Sequence, residues 1–284
     1  MRLVTLATGS GRSVGIIDGD AVRLLPGAVD MVALIRQVAE GGAVPRPDGA
    51  SVPLAAAKLA APIPRPSRNV FCVGKNYHEH AKEFAGSGFD ATAKEVVPEA
   101  PVVFTKPPTS VIGPGEPIPS HLDPTDTVDY EGELAVVIGR GGRGIRKADA
   151  LAHVFGYTIV NDVTARTLQH KHRQWVLGKG IDGFCPMGPA ILTADEVPDP
   201  TKLALRTFVN GEKRQDAAVS DLIFDIPTLI ETISAGIALE PGDVIATGTP
   251  AGVGIGFSPP RFLKPGDTVR IEVDGIGVLE NPVA

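Results

Sequence analysis

The sequence predicts an α+β chain that is mainly β. Three observations carry that expectation. The 284 residues contain 33 glycines and 26 prolines, enough to break the chain into many short segments. Between these breaks lie short aliphatic, β-branched runs of strand length. Helix signals are few and brief. The length admits one large domain, or a small domain plus a larger one, with a sizeable buried core.

Composition narrows the functional classes. Hydrophobic residues make up 43% and charged residues 21%, an ordinary globular balance. The net charge of −6 comes without a dense basic cluster, which argues against nucleic acid as a partner. Two cysteines, Cys72 and Cys185, form neither a disulfide framework nor a zinc knuckle, so two reduced thiols are expected. The first residues lack the apolar length of a signal peptide, and no apolar run is long enough to span a bilayer. A cytoplasmic protein without a membrane partner is the expectation.

Residues 1–65 are expected to form a small N-terminal α+β module. Val14 to Leu25 reads as a hairpin turning at Asp18-Gly19. Asp30 precedes an amphipathic stretch and would cap a helix there. The proline-rich segment 61–67 is a stiff connector, and residues 68–284 form the second, larger domain. In it, Val70–Gly74 reads as a buried strand and Lys75–Phe84 as a short helix. Three-residue spacing on that helix makes His80 and Glu83 neighbours, a pairing that suits a proton acceptor. It also suits a plain surface pair, with His78 and Glu79 as competitors. Residues 85–100 have no clear period and read as a loop, either a lid or an inert excursion. Lys106 ends the next strand, placed to meet an anionic ligand or simply solvent.

Proline-rich turns over 113–127 lead to Asp129-Tyr-Glu-Gly-Glu133 and the apolar run Leu134–Ile138. Strand alternation puts Glu131 and Glu133 on one face, roughly 7 Å apart at the α-carbons. Two such carboxylates either fan into water at a frayed strand start or share a cation. Gly139 to Gly144 reads as a turn, since it lacks both the Walker and dinucleotide spacings. A short helix over 148–155 and a strand over 156–162 follow. Asp162 then stands where it could cap a helix running from Val163 to Trp175, or meet the two glutamates if their strands pair. Arg166 and Gln169 lie one turn apart on that helix, suited to an anionic oxygen pair. Lys179 sits between two glycines, where backbone approaches closely. The last third is β-rich: a strand over 203–210 turning at Asn210-Gly211, a helix capped by Asp225, a strand running into the glycine-rich loop 248–254, and a closing hairpin. Thr249 in that loop offers a hydroxyl and an amide to a carboxylate.

Taken in order, Val73-Gly-Lys-Asn-Tyr with His80 and Glu83, Phe104-Thr-Lys-Pro, Asp129-Tyr-Glu-Gly-Glu, Asn161-Asp162, Arg166 with Gln169, Gly178-Lys179 and Thr247-Gly-Thr-Pro resemble the fumarylacetoacetate hydrolase family. The resemblance spans about residues 68 to 283. It implies a mixed β-roll or β-sandwich core and a divalent metal held by Glu131, Glu133 and Asp162. Such all-carboxylate ligation favours Mg²⁺ or Mn²⁺, admits Ca²⁺ and disfavours Zn²⁺. The implied substrates are 2-oxo or β-diketo acids, with Arg166, Gln169 and Thr249 as anion holders. The implied reaction is hydrolysis of a C–C bond in a 3-acylpyruvate-type acid through a metal-bound enolate, as in aromatic catabolism. His80, oriented by Glu83, would activate water, and Lys179 would stabilise the developing oxyanion. Oxaloacetate decarboxylation, 2-hydroxydienoate hydration and muconate-type isomerisation use the same site and remain alternatives. A non-catalytic binding module on the same fold is the alternative of a different class. The family also implies a homodimer. Thr167 departs from the aspartate that often follows the helix arginine, and residues 85–100 lie where substrate range is expected to be set.

Overall fold

A computed structural model describes residues 1–9, 11–90 and 96–284. The main sheet runs in the order Ser51–Pro53, Ala21–Leu24, Gly11–Asp18, Arg2–Thr8, Cys185–Thr193, Val154–Asn161, Gly132–Ile138, Val244–Ala246, Val70–Gly74, Val102–Lys106. Along this path the Val244–Ala246 and Val70–Gly74 pair is parallel and the others are antiparallel. Leu3 pairs with Ile191, so the N-terminal strands extend the same sheet as the larger region. A second, antiparallel sheet orders Glu212–Ala218, Ala204–Val209, Thr268–Val273, Gly277–Pro282.

Gly132–Ile138 is buried along its whole length, and its alternation feeds two cores. Leu134, Val136 and Ile138 join Tyr157 and Ile159, then Leu205, Val269 and Ile271 of the second sheet, and Leu229, Ile230 and Ile233 of helix Ile226–Ser234. Ala135 and Val137 belong to the other layer, with Val160, Cys72, Met187 and the helix residues Met31, Leu34 and Ile35. Each fully buried large aliphatic side chain contributes about 1.5–3 kcal/mol. That burial holds the strand in place and with it the charged residues at its leading end.

Local expectations hold where a single residue sets the geometry. Asp30 caps helix Met31–Ala39 through Ala33 N at 2.8 Å, and Asp225 caps Ile226–Ser234 through Thr228 N at 2.9 Å. Asn210 and Gly211 both adopt positive φ, 52° and 80°, as a tight hairpin turn requires. Helix boundaries differ from the sequence reading. The helix expected from Lys75 begins at His78, because Lys75 is left-handed (φ 54°) and Tyr77 is extended. The stretch 148–155 is a 3₁₀ helix over Lys147–His153, after which Val154 and Phe155 enter a strand. The long helix over 163–175 is split. Thr164 and Ala165 pair with Asp129 and Val128, helix Arg166–His172 follows, Arg173 turns back at φ 60°, and Val176–Lys179 forms a separate turn. Asp162 therefore caps no helix, since Ala165 occupies that place. Of the loop expected over 85–100, residues 91–95 lie outside the described residues. No helix among the described residues is long and apolar enough to cross a membrane.

Candidate active site

Glu131 and Glu133 flank Gly132 at the leading end of the buried strand, and both are buried. The frayed, solvent-facing alternative is thereby excluded. Pairing of Gly132 with Asn161 brings the neighbouring Asp162 alongside. Asp162 N donates to Glu131 O at 2.8 Å, and Asn161 Oδ1 accepts from Glu131 N at 3.0 Å. Carboxylate oxygens of Glu131, Glu133 and Asp162 lie within 4.8 Å of one another. Gly132 makes this possible by lacking a side chain: a Cβ there would stand 2.3 Å from Thr207 Oγ1.

Two lysines meet this cluster. Lys179 Nζ donates to Glu131 Oε2, Asp162 Oδ2 and Thr164 Oγ1, each at 2.8 Å. The glycines around Lys179 serve protein packing. A Cβ on Gly178 would come within 2.4 Å of Gln169 N, so glycine lets the turn press against helix Arg166–His172. Lys106 is fully buried. It donates to Asp162 Oδ1 at 2.6 Å, to Val163 O at 3.0 Å and to Lys179 O. The solvated reading of Lys106 from the sequence is thus corrected, since its ammonium is committed to Asp162 and two backbone carbonyls.

Arg166 and Gln169 lie together as their spacing predicts. Arg166 is already committed on most sides: Nη1 to Glu131 Oε1 at 2.7 Å and Gln169 Oε1 at 3.2 Å, Nε to Asp129 Oδ2 at 2.9 Å. Its Nη2 is buried and has no hydrogen-bond partner among the described residues. Thr249 is near, but its hydroxyl donates to Gly132 O at 3.0 Å and accepts from Gln215 Nε2 at 2.7 Å, which turns it toward bracing the glutamate strand. Asp129 was not singled out by sequence reasoning, although it shares strand parity with Glu131. It is fully buried and accepts from Gly254 N, Ile255 N and Tyr130 N as well as from Arg166.

His80 and Glu83 form the dyad expected from their spacing, with Nδ1 to Oε2 at 3.0 Å and both side chains largely buried. Glu83 Oε1 accepts from Gly252 N at 2.9 Å. A Cβ on Gly256 would stand 1.8 Å from that same oxygen, so the glycine-rich loop shapes the seat of the carboxylate. The competitors are ruled out by exposure: His78 faces solvent and Glu79 pairs with Lys82 at the surface. A narrow cleft is lined by His80, Glu131, Arg166, Gln169, Lys179 and Thr249, with Lys75, Phe84 and Trp175 completing its walls.

Electrostatics separate the three clustered carboxylates. Burial pushes the Glu133 carboxyl well above its ordinary range, and Asp162 and Glu131 push it further. For Glu131, burial also works upward, but Lys179 and Arg166 outweigh it and hold the carboxyl low. Burial works against the Lys179 ammonium, and Asp162 and Glu131 overcome it, so its pKa is raised. A site with surplus buried negative charge and hard oxygen donors suits a divalent cation. The triad is consistent with such a metal site.

Two packed sheets carrying buried carboxylates, a lysine and a His–Glu pair at one cleft define an α+β enzyme fold. The fumarylacetoacetate (FAA) hydrolase C-terminal family model matches residues 69–284, and an Rv2993c-like N-terminal model matches residues 1–62. The chain belongs to the fumarylacetoacetate hydrolase family. It is 50% identical over 269 residues to the oxaloacetate tautomerase YisK of Bacillus subtilis (strain 168), covering 94% of this chain and 87% of that one. Among solved structures, a fumarylacetoacetate hydrolase from psychrophilic Exiguobacterium antarcticum is 40% identical with a TM-score of 0.86, covering 100% of this chain and 99% of that one. Maleylpyruvate hydrolase from Sphingobium sp. SYK-6, in complex with manganese(II) and pyruvate, is 32% identical with a TM-score of 0.78 and the same coverage.

Proposed function

We propose that this chain is a metal-dependent isomerase that moves a proton between carbon and oxygen of a small 2-oxo acid, interconverting the keto and enol forms of oxaloacetate. This sharpens the isomerase alternative and sets it ahead of C–C hydrolysis. The observation that carries it is the 50% identity to an oxaloacetate tautomerase over most of both chains. The site supports the same chemistry. Keto–enol exchange needs a base at the carbon beside the carbonyl and an acid at the carbonyl oxygen. His80, fixed by Glu83, is the base: it takes the C3 proton, and the C–H electron pair moves into the new C2–C3 double bond. Lys179 lines the same cleft and, on giving up one of its three hydrogen bonds to Glu131, Asp162 and Thr164, passes a proton to the C2 oxygen. In the reverse direction the two groups exchange roles.

Glu131, Glu133 and Asp162 would hold Mg²⁺ or Mn²⁺. A bound cation there supplies Lewis acidity toward the 2-oxo acid oxygens. Arg166, braced by Asp129 and Gln169, presents its free Nη2 to a substrate carboxylate. Thr249 contributes less, because its hydroxyl is engaged. The dyad and lysine speak against a non-catalytic binding role, which needs neither.

Hydrolysis of a C–C bond is the second reading, favoured by the likeness to the manganese- and pyruvate-bound maleylpyruvate hydrolase. In it the dyad would act on water. One assay separates the two. The Mn²⁺-loaded protein is given the enol form of oxaloacetate, whose ultraviolet absorbance is followed, while pyruvate release is measured from oxaloacetate and from acetylpyruvate. Fast enol decay without pyruvate is expected, and His80→Ala should slow it by roughly 10²–10⁴-fold. Pyruvate release from acetylpyruvate with enol decay no faster than in buffer would overturn the tautomerase reading.

A further inference from the structure

Lys75 has no part in the chemistry above, yet it lines the same cleft. It is 5% exposed and holds a left-handed backbone (φ 54°), unusual for a side chain of its kind. Such strain persists where surrounding structure imposes it, commonly at ligand sites. Its ammonium pairs with Asp90, which is not one of the residues lining the cleft, and stands 5.5 Å from the centroid of the Phe84 ring. An ammonium has three donors, and Asp90 fixes its position while using part of that capacity. A second cationic residue lines the same cleft: Arg166, whose Nη2 is buried with no hydrogen-bond partner among the described residues. The cleft thus carries two separate cationic side chains besides Lys179, Lys75 paired with Asp90 and Arg166 with Asp129 and Glu131.

We propose that Lys75 is a specificity-determining residue that reads the carboxylate at the far end of the substrate, so that the site selects 2-oxo dicarboxylates over 2-oxo monocarboxylates. This rests on the proposed reading of the cleft as a 2-oxo acid site. Arg166 and the carboxylate triad deal with the 2-oxo acid head. Lys75 takes the distal group, and Asp90 holds the ammonium from outside the cleft.

The probes are oxaloacetate and 2-oxobutanoate, which share the head and differ by a carboxylate in place of a methyl group. Their affinities for the Mn²⁺-loaded protein are measured by calorimetry for wild type, Lys75→Met and Lys75→Arg, alongside oxaloacetate enol decay. A lost charge-assisted hydrogen bond corresponds to roughly 10–100-fold. Lys75→Met should weaken oxaloacetate by about that factor and leave 2-oxobutanoate within about twofold, while Lys75→Arg restores most of the loss. The 2-oxobutanoate affinity also reports whether each variant keeps its site. Equal weakening of both ligands, unchanged affinity for both, or a wild type that does not discriminate between them would overturn the proposal. Discrimination that depends on Lys75 without any acceleration of enol decay would leave this inference standing and remove the tautomerase reading.

Discussion

Asp129 and Glu133 are four residues apart, equally buried, and opposite in design. Asp129 takes hydrogen bonds from the Tyr130, Gly254 and Ile255 amides and pairs with Arg166. Among the described residues, Glu133 takes a single hydrogen bond, from Gly248 N at 2.7 Å, and faces the carboxylates of Glu131 and Asp162. Burial raises both pKa values, but like-charged neighbours add to it at Glu133, whereas Arg166 and backbone amides oppose it at Asp129. Asp129 is a finished structural joint that aims an arginine. Glu133 has no such partner set, which is consistent with a divalent cation completing it.

The largest expected effect tests that contrast directly. Glu133→Gln copies the shape of the protonated side chain, so the fold should survive. Its Mn²⁺ affinity should fall by more than the roughly 10–100-fold typical of losing an outer-shell partner, and metal-dependent activity should vanish. Asp129→Asn should instead cost about 3–5 kcal/mol of folding stability, as for a broken buried ion pair, with a smaller change in metal affinity. Calorimetry and denaturant unfolding measure the two quantities. An equal loss of metal affinity in both variants would erase the distinction.

Gly256→Ala is next. Its Cβ would collide with the Glu83 carboxylate, so the dyad should lose its alignment and kcat should fall by roughly 10²-fold. Mn²⁺ affinity should stay within about twofold. A parallel drop in metal affinity would mean that the glycine loop supports the carboxylate cluster as a whole.

The smallest effect is in pH dependence. Glu133 has a raised folded-state pKa. Its contribution to stability is therefore fully present below the unfolded value, about 4.3, and is lost as pH rises through the folded value. Glu131 is shifted the other way, so its contribution is present above the unfolded value and lost as pH falls toward its lowered pKa. Above about pH 5 Glu131 stays ionised, and Glu133 sets the slope between these two. The metal-free protein should lose thermal stability as pH rises above about 5, with Asp129, also raised, adding in the same direction, and Glu133→Gln should lose less. Mn²⁺ should restore more stability at the upper end and release a proton on binding, seen as a buffer-dependent calorimetric heat. An identical slope in wild type and Glu133→Gln would remove Glu133 as its source.

Much of the site was legible in the sequence, because its residues obey local periods. Glu131 and Glu133 share a face through the two-residue repeat of a strand. His80 and Glu83, and Arg166 and Gln169, meet through the three-residue spacing of a helix. What escaped was set by contacts distant in the chain. Glu83 is seated by Gly252, 169 positions away, and Asp129 by Gly254, 125 positions away. Lys106 carries no local mark distinguishing it from a surface lysine, and its burial against Asp162 comes from the stacking of three chain segments. The overlong helix over 163–175 failed for a similar reason. Thr164 and Ala165 gain a ladder with Val128 and Asp129 that no local propensity reports.

By itself, the sequence determined the alternation that buries Leu134, Val136 and Ile138, the caps at Asp30 and Asp225, the Asn210-Gly211 turn and the pairs within one strand or helix. These follow from backbone geometry within a few residues. Only the tertiary structure decided which charge meets which: Lys179 between Glu131 and Asp162, Arg166 on Asp129, and Lys75 at the cleft wall beside Phe84. Burying a charge is unfavourable unless its partner arrives with it. The partners arrive from distant segments, and the assembled sheets alone bring them within reach.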